Sequence, residues 1–387
     1  MRAYLDHNAT TPVDPRVTEA MLPYFSENYG NASSIHSAGQ RARAGVDAAR
    51  DAVAALIGAK PPEMVFTSGG TEADNLAIFG AVAASPKPRK HVITTSIEHH
   101  AVLNSCQVLE RQGVEVTFAR VGPSGVVDSA EIRAALRPET VLISVMHVNN
   151  ELGTIQAIEE IGRIAEDAGV TFHCDAVQSA GKLPLDVNRM RVNLLSLSAH
   201  KICGPKGVGA LYVRTGTRLE PQFHGGHHER DLRPGTENVA GIVGFGKAAE
   251  LARKELTEEP PRIGALRDRL EESLLETIPA IRVNGDPSRR AAGTANLTFA
   301  GAGGEALLIA LDLQGIECST GAACSSGAVE PSHVLLAIGL SPEEARSSLR
   351  FSLGRTTTRD EIDYAGRIIP GAVERLRAIS PISAVAR

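Results

Sequence analysis

Residues 170–201 read VTFHCDAVQSAGKLPLDVNRMRVNLLSLSAHK, and two short runs inside them decide the class of fold. Val170–Cys174 and Leu194–Ser198 are rich in apolar residues without a strict alternation, the pattern of strands buried on both faces of a sheet. Each run ends beside a residue with chemistry. Asp175 follows the first at once, and Lys201 stands just past the second. In open α/β sheets ligands bind beyond the carboxyl ends of the strands, so both residues fall on the functional edge.

The same rhythm runs outward from Met64 to Val213. Further strands are predicted at Met64–Phe66, His91–Thr95, Val114–Ala119, Thr140–Val148 and Ala210–Val213, with helices at Thr71–Ala83, Ala101–Gln112, Ser129–Leu136 and Ile158–Asp167. Strands alternating with helices imply a mostly parallel, seven-stranded sheet with helices on both sides. The Gly-Val-Gly lead into Ala210 reads as the start of an edge strand of that sheet. Pro260-Pro261, after a charged helix at Val239–Leu256, reads as a hinge into a second domain. Beyond it come a helix at Ile263–Thr277, a Gly/Ala-rich strand region at Ala291–Gly304, a small-residue loop at Ser319–Gly327 and a last helix at Arg359–Ala378. The expected fold class is α/β, with a large domain over residues 14–257 and a smaller α+β domain from residues 1–13 and 258–387.

A chain of 387 residues can bury a core without disulfide staples. Hydrophobic residues make up 43% and charged residues 22%, which argues against wholesale disorder. The net charge of −5 supplies no basic field to attract nucleic acid or an anionic membrane. Trp is absent and aromatics are 4%, so base-stacking platforms are not expected. The apolar runs fall short of a membrane span, and Asp6 and His7 stand where a secretory signal would be apolar. The 5 cysteines are odd in number and form no C-x-x-C pair. That points away from disulfides and structural zinc and toward a reducing cytoplasm.

A lysine at the end of a buried strand is partly desolvated, which favours its nucleophilic amine form. Alone, it reads as an ordinary solvated lysine. Paired with a carboxylate at the end of another strand, it becomes what pyridoxal phosphate needs: an amine for a Schiff base and an acid to keep the pyridine nitrogen protonated. Thr67-Ser-Gly-Gly-Thr-Glu72 lies between strand and helix, where free N–H groups favour a phosphate. It is neither a Walker A loop nor a dinucleotide fingerprint, which counts against nucleotide binding. Cys324 sits in Ser319-Thr-Gly-Ala-Ala-Cys-Ser-Ser-Gly327. Such small residues give little apolar material to bury a thiol, so an exposed, movable nucleophile is expected. Cys318 reads as buried or incidental, and Cys174 and Cys203 as core filling. His224-Gly-Gly-His-His-Glu229 lacks the i, i+4 spacing of a zincin helix, so no metal site is expected.

Taken in order, the blocks resemble the NifS/IscS-type cysteine desulfurases, pyridoxal-phosphate enzymes of the aspartate-aminotransferase fold (fold type I). The blocks are Tyr-Leu-Asp-His-Asn-Ala-Thr-Thr-Pro from Tyr4, Thr-Ser-Gly-Gly-Thr-Glu-Ala-Asp-Asn from Thr67, Glu-His-His-Ala-Val-Leu from Glu98 and Met-His-Val-Asn-Asn-Glu-Leu-Gly-Thr from Met146. They continue with His-Cys-Asp-Ala-Val-Gln-Ser from His173, Ser-Ala-His-Lys from Ser198, Arg-Pro-Gly-Thr-Glu-Asn from Arg233, Ser-Thr-Gly-Ala-Ala-Cys from Ser319 and Arg-Phe-Ser-Leu-Gly-Arg from Arg350. The resemblance implies that Lys201 carries the Schiff base, Asp175 meets the pyridine nitrogen, His99 stacks on the ring and Gln178 hydrogen-bonds the phenolic oxygen. Gly70, Thr71, Ser198 and His200 would hold the phosphate, and Thr236 would reach the partner subunit's phosphate in a homodimer. Asn150 and Arg350 would receive the carboxylate of the substrate, L-cysteine.

The implied reaction converts L-cysteine to L-alanine and leaves sulfur on Cys324 as a persulfide, with Lys201 as base for the α-proton and His99 near the thiol. Sulfur would then pass to an acceptor protein, an iron–sulfur scaffold or a thiolation carrier. The alternatives are a selenocysteine lyase or aminotransferase on the same fold, or a non-catalytic sulfur carrier. Pro234 stands where the family often has Ser, and the C-terminal Ser-Pro-Ile-Ser-Ala-Val-Ala-Arg does not match the family's scaffold-docking tail.

Overall fold

Seven short runs with apolar or small side chains on both faces build the central sheet. They are β1 (Met64–Thr67), β2 (His91–Thr95), β3 (Glu115–Ala119), β4 (Thr140–Ser144), β5 (Thr171–Asp175), β6 (Leu194–Ser198) and β7 (Gly209–Val213). The computed structural model describes residues 1–321 and 330–379. Every residue of β1, β2, β4, β6 and β7 is buried, whereas β3 is half solvated. The order is β1-β7-β6-β5-β4-β2-β3. All pairs are parallel except the two that β7 makes with β1 and β6.

β7 is therefore an interior strand, and the expectation of an edge strand is corrected. Gly209 lets it in: a Cβ there would come within 2.6 Å of the Leu197 carbonyl and 2.7 Å of the Gly69 backbone. β4 also ends earlier than its apolar run, because Val148 turns away into an antiparallel bridge with Ile155.

Helices cover both faces. α1 (Ser37–Leu56), α2 (Gly70–Ala84), α3 (His100–Arg111), α4 (Ile158–Ala168) and α5 (Val239–Glu255) divide between two core clusters. Residues of α1, α4 and α5 join Phe172, Cys174, Leu195 and Leu197 on one face. Residues of α2 and α3 join Val65, Val92, Leu142, Leu194 and Leu211 on the other. α1 lies outside the strand–helix rhythm read from sequence. It is helical because Ala42, Val46, Ala49 and Val53 recur at helical spacing and are buried, with His36 accepting from the Gly39 N–H at its start. Gly246 of α5 lets the two helices approach, since a Cβ there would lie 2.5 Å from Ala49 Cα. Burying one large apolar side chain contributes about 1.5–3 kcal/mol. Truncating the fully buried Phe172 to Ala would cost about 3–5 kcal/mol.

The main elements beyond α5 are α6 (Glu259–Thr277), β8 (Ile281–Val283), β9 (Thr294–Phe299), α7 (Gly304–Asp312), β10 (Ser348–Ser352) and α8 (Arg359–Ile379). β9 is central in an antiparallel three-stranded sheet, with β8 and β10 on either side. A separate core joins Leu270, Leu274, Leu297, Phe299, Leu349 and Phe351 to Ala3 and Leu5 of the N-terminus. Ala3–Tyr4 pairs parallel with Ile316–Glu317, which carries the following residues toward the large sheet. The proline pair fills the first turn of α6, where a missing N–H costs nothing. It starts the first helix beyond the expected domain boundary.

Candidate active site

A cavity of about 410 Å³ opens at the carboxyl ends of β5 and β6, and ten of the twelve residues singled out from sequence line it. They are Gly70, Thr71, His99, Asn150, Asp175, Gln178, Ser198, His200, Lys201 and Arg350. Its size suits a small ligand or cofactor.

Lys201 ends a single 3-10 turn, Ala199–Lys201, that follows β6 directly. Its Nζ donates to the carbonyls of Asn8 at 2.6 Å and Ala9 at 2.7 Å. Burial, and then the Arg350 charge, hold the amine down at about 8 against the pull of Asp175 and Asp6. A fraction of it is thus a free nucleophile near neutral pH. Asp175 is the last residue of β5, and its Oδ1 accepts from the Val177 N–H at 2.9 Å. Burial raises its carboxyl to about 6, while Val177 and Lys201 pull it down. Asp74 on α2 lines the same wall. Burial and the neighbouring Asp175 push its carboxyl well above the usual range, which keeps a proton beside Asp175.

Opposite stands a set of donors without acceptors. α2 begins at Gly70 with no side-chain cap, so its first N–H groups point out unpaired. Gly70 fits because a Cβ would meet Val177 Cγ2 at 2.7 Å. The Ser198 hydroxyl is buried with no hydrogen-bond partner. Helix N–H groups, an orphaned hydroxyl and Thr71 make a cradle for an anion such as a phosphate. His200 closes the wall with Nδ1 at 3.1 Å from Thr10 Oγ1. Burial, with Lys201 and other lysines, lowers it to about 4.

His99 caps α3, its Nδ1 accepting from the Ala101 N–H at 3.1 Å. Burial and then Lys201 lower it to about 4, so the ring is neutral. With Nδ1 accepting, the proton sits on Nε2. In this arrangement His99 offers a flat face and a donor edge.

Arg350 lies on β10, 4% exposed. It donates through Nη1 to the Asn150 carbonyl at 2.9 Å and through Nη2 to Asp6 Oδ1 at 2.6 Å. Its Nε is buried without a partner. The guanidinium is held in an ion pair, yet keeps donor capacity toward the cavity.

Of the two other expected residues, only Thr236 is described. Thr236 is exposed and absent from the lining. Cys324 lies outside the described residues; Gly321, three residues earlier, is on the cavity wall. Cys318 packs against the small core, where burial pushes its thiol far up. Cys174 and Cys203 are buried. His227 pairs with Asp231 at 2.7 Å, and among the described residues no group of three or more His, Cys, Asp or Glu is arranged for a metal. Sequence reading missed Asn8, Asp74 and Lys182. Asn8 and Asp74 sit inside quoted blocks, but only the fold turns them toward Lys201 and Asp175.

The family model described as aminotransferase class-V matches residues 3–365. A relative from Anaeromyxobacter dehalogenans (strain 2CP-C), named "Cysteine desulfurase IscS", is 54% identical over 382 residues, covering 98% of this chain and 94% of that protein. A relative of the same name from Methanosarcina thermophila is 50% identical over 380 residues, with 98% and 94% covered. A solved structure described as a NifS-like protein superposes with a TM-score of 0.92 at 37% identity, covering 97% of this chain and all of that one. Another, described as SspA in complex with cysteine, gives 0.82 at 39% identity over 92% of this chain and all of that one.

Proposed function

We propose, from the premise that this chain belongs to the aminotransferase class-V family, that it is a cysteine desulfurase using pyridoxal 5′-phosphate to take sulfur from L-cysteine and release L-alanine. One observation carries the reading. Within a single cavity, a lysine amine held near 8 faces a strand-end carboxylate, and an uncapped helix start beside the orphaned Ser198 hydroxyl offers donors to an anion. When bound, the cofactor supplies an electrophilic carbon for amines and a protonated ring that accepts electrons from the substrate's Cα.

The chain's own residues divide the work. Gly70, Thr71, Ser198 and His200 would hold the phosphate, Asp175 would face the ring nitrogen, His99 would cover the ring and Gln178 would donate to the phenolic oxygen. Lys201 Nζ would hold the group covalently and, as a free amine, would take the α-proton. Arg350 and Asn150 would orient the substrate carboxylate, the unpartnered Nε of Arg350 being the available donor. Cys324 is the acceptor on sequence grounds: its thiol and L-cysteine give a Cys324 persulfide and L-alanine, a balance that needs no outside oxidant. The cavity wall at Ser319 and Gly321 puts the chain at the pocket shortly before that cysteine.

We take residues 14–257 as the cofactor-bearing domain, and residues 1–13 with 258–387 as the domain that brings in Arg350 and Cys324. The exposed Thr236 fits a homodimer in which it serves the partner subunit's phosphate. The sulfur goes on to an acceptor protein, an iron–sulfur scaffold or a thiolation carrier. Among the described residues no helix is long and apolar enough to cross a membrane, and the described cysteines are free thiols, in keeping with a cytoplasmic enzyme.

The test is turnover. Purified protein with pyridoxal phosphate should develop a visible absorbance band and convert L-cysteine to alanine, with sulfide released from the persulfide by an added dithiol reductant. Cys324→Ser should keep the band and lose alanine formation. A Cys324→Ser protein of undiminished turnover, or amino transfer to a keto acid as the dominant reaction, overturns the proposal in favour of an aminotransferase.

A further inference from the structure

Lys182 is absent from the lining of the large cavity. It lines a second, smaller one of about 80 Å³, which also touches Asn8 and Lys201. Asn8 and Lys201 thus form a partition between the two spaces. Across it, Lys182 Nζ donates to Gln178 Oε1 at 2.9 Å and to Asn8 Oδ1 at 3.2 Å. The other end of the Gln178 amide, Nε2, donates to the Asn8 carbonyl at 2.8 Å, the same oxygen that receives Lys201 Nζ. Asn8 is itself pinned, its Nδ2 donating to the Asn150 carbonyl at 3.1 Å and to Thr294 Oγ1 at 2.9 Å. None of the ion pairs among the described residues includes Lys182, so its hydrogen-bonding capacity is directed at two amide oxygens.

That geometry decides which way an ambiguous amide faces. A primary amide can turn over and exchange donor for acceptor, and only its partners choose between the two. In its protonated form the Lys182 amine has three donors and no acceptor, so it takes only the carbonyl end of Gln178 as its neighbour, and the two amide oxygens facing it favour that form. The NH₂ end is then committed to the opposite side. One of its hydrogens goes to the Asn8 carbonyl and the second remains for the large cavity. We propose that Lys182 is a positioning residue that locks Gln178 as a hydrogen-bond donor into the large cavity, and so sets the acidity of the Lys201 linkage to the cofactor. The inference rests on the pyridoxal-phosphate reading above. Burial, and then the nearby Lys201 and Arg350, hold the Lys182 amine itself down at about 7. The second cavity adds His7, Cys203, Glu255, Glu259 and Arg355 to its titratable surroundings.

A donor aimed at the phenolic oxygen stabilises that oxygen's negative charge most when the linkage nitrogen has lost its proton, so it lowers the pH at which the proton leaves. A nearby cation acts in the same direction. The test uses full-length wild type, Lys182→Met, Lys182→Arg, Gln178→Leu and the double variant Lys182→Met/Gln178→Leu. Each is loaded with pyridoxal phosphate, and its visible band is titrated with pH. The expected midpoint for Lys182→Met is higher than wild type by about one pH unit, a tenfold change in the proton equilibrium. Gln178→Leu should move it the same way, the double variant by no more than the larger single change, and Lys182→Arg should restore most of the wild-type value. If Lys182→Met does not accumulate as folded protein, Lys182→Gln should raise the midpoint by a smaller amount, since it removes the cation while its amide can still donate to Gln178. A coloured Lys182→Met or Lys182→Gln protein with the wild-type midpoint overturns the inference, whatever its melting temperature. So do shifts that simply add in the double variant. A wild type that takes up no pyridoxal phosphate overturns the underlying cofactor reading instead, and this inference falls with it.

Discussion

Ser198→Ala should raise the stability of the cofactor-free protein and lower its affinity for the cofactor. The Ser198 side chain is 3% exposed, and its hydroxyl has no hydrogen-bond partner. A buried polar group left unsatisfied costs about 1–3 kcal/mol. Replacing Oγ by hydrogen removes that cost at the loss of one atom's packing, so a net gain of about 1 kcal/mol is expected. In a chain of 387 residues the unfolding entropy is large, and this gain amounts to roughly 1 °C in Tm. A denaturant midpoint is therefore the better readout. With pyridoxal phosphate present the sign reverses. A hydrogen bond to a charged phosphate is worth about 1.5–3 kcal/mol, so Kd should rise by roughly ten- to a hundredfold. The assay is urea unfolding of wild type and variant with and without cofactor, paired with equilibrium titration of the visible band. A cofactor-free Ser198→Ala protein less stable than wild type would refute the assignment of Ser198 as an orphaned donor. An unchanged Kd would refute its place in the phosphate site.

Three further outcomes follow from the same geometry. Lys201 is depressed from 10.5 to about 8, so its nucleophilic neutral form gains below pH 9. The rate of cofactor uptake should rise with pH through a midpoint near 8, and stopped-flow absorbance showing a midpoint near 10.5 would contradict this. Asp6 occupies Nη2 of Arg350, which the substrate carboxylate would otherwise share with the free Nε. Asp6→Asn should lower the KM for L-cysteine by about two- to fivefold, roughly 0.4–1 kcal/mol, and a higher KM in steady-state kinetics would mean that Asp6 orients the arginine rather than competing for it. In the smaller core, Glu271 and Arg290 pair at 2.8 Å with side chains 9% and 5% exposed. Glu271→Ala leaves a buried cation and should cost about 3–5 kcal/mol in denaturant unfolding, whereas the double change Glu271→Leu/Arg290→Met should recover most of it.

The central sheet could be read from sequence because its strands are local features: short runs mostly buried on both faces, several of them followed by helices. What could not be read was how they are ordered. β7 looks like an appended edge strand, since the Gly-rich lead-in says only that the chain turns. Its insertion between β1 and β6 depends on Gly209 meeting the Leu197 and Gly69 backbones, a contact between residues far apart in the chain. The proline pair is a second case in which sequence leaves the local outcome open. Proline marks a break in one direction only, and at the first turn of α6 it serves as a start.

The site divides along the same line. Asp175, Ser198 and Lys201 were legible because each stands at the end of a strand that announces itself. Asn8, Asp74 and Lys182 were not, since their importance lies in what they touch. Asn8 comes from the N-terminal segment, whose neighbours Ala3 and Leu5 belong to the smaller core. Yet its carbonyl and side chain hold Lys201, Gln178 and Lys182 of the large unit, while its Nδ2 reaches Thr294 of the small one. Arg350, from the small unit, is tied back through Asp6 and the Asn150 carbonyl. The amine of Lys201 and the guanidinium of Arg350 therefore rest on different cores, and Asp6–Ala9 touches both. A displacement of this stretch would move partners of both groups. Substitutions at Asn8 should consequently alter substrate affinity and cofactor acidity together, where a change at Ser198 alters stability and cofactor binding but neither of these.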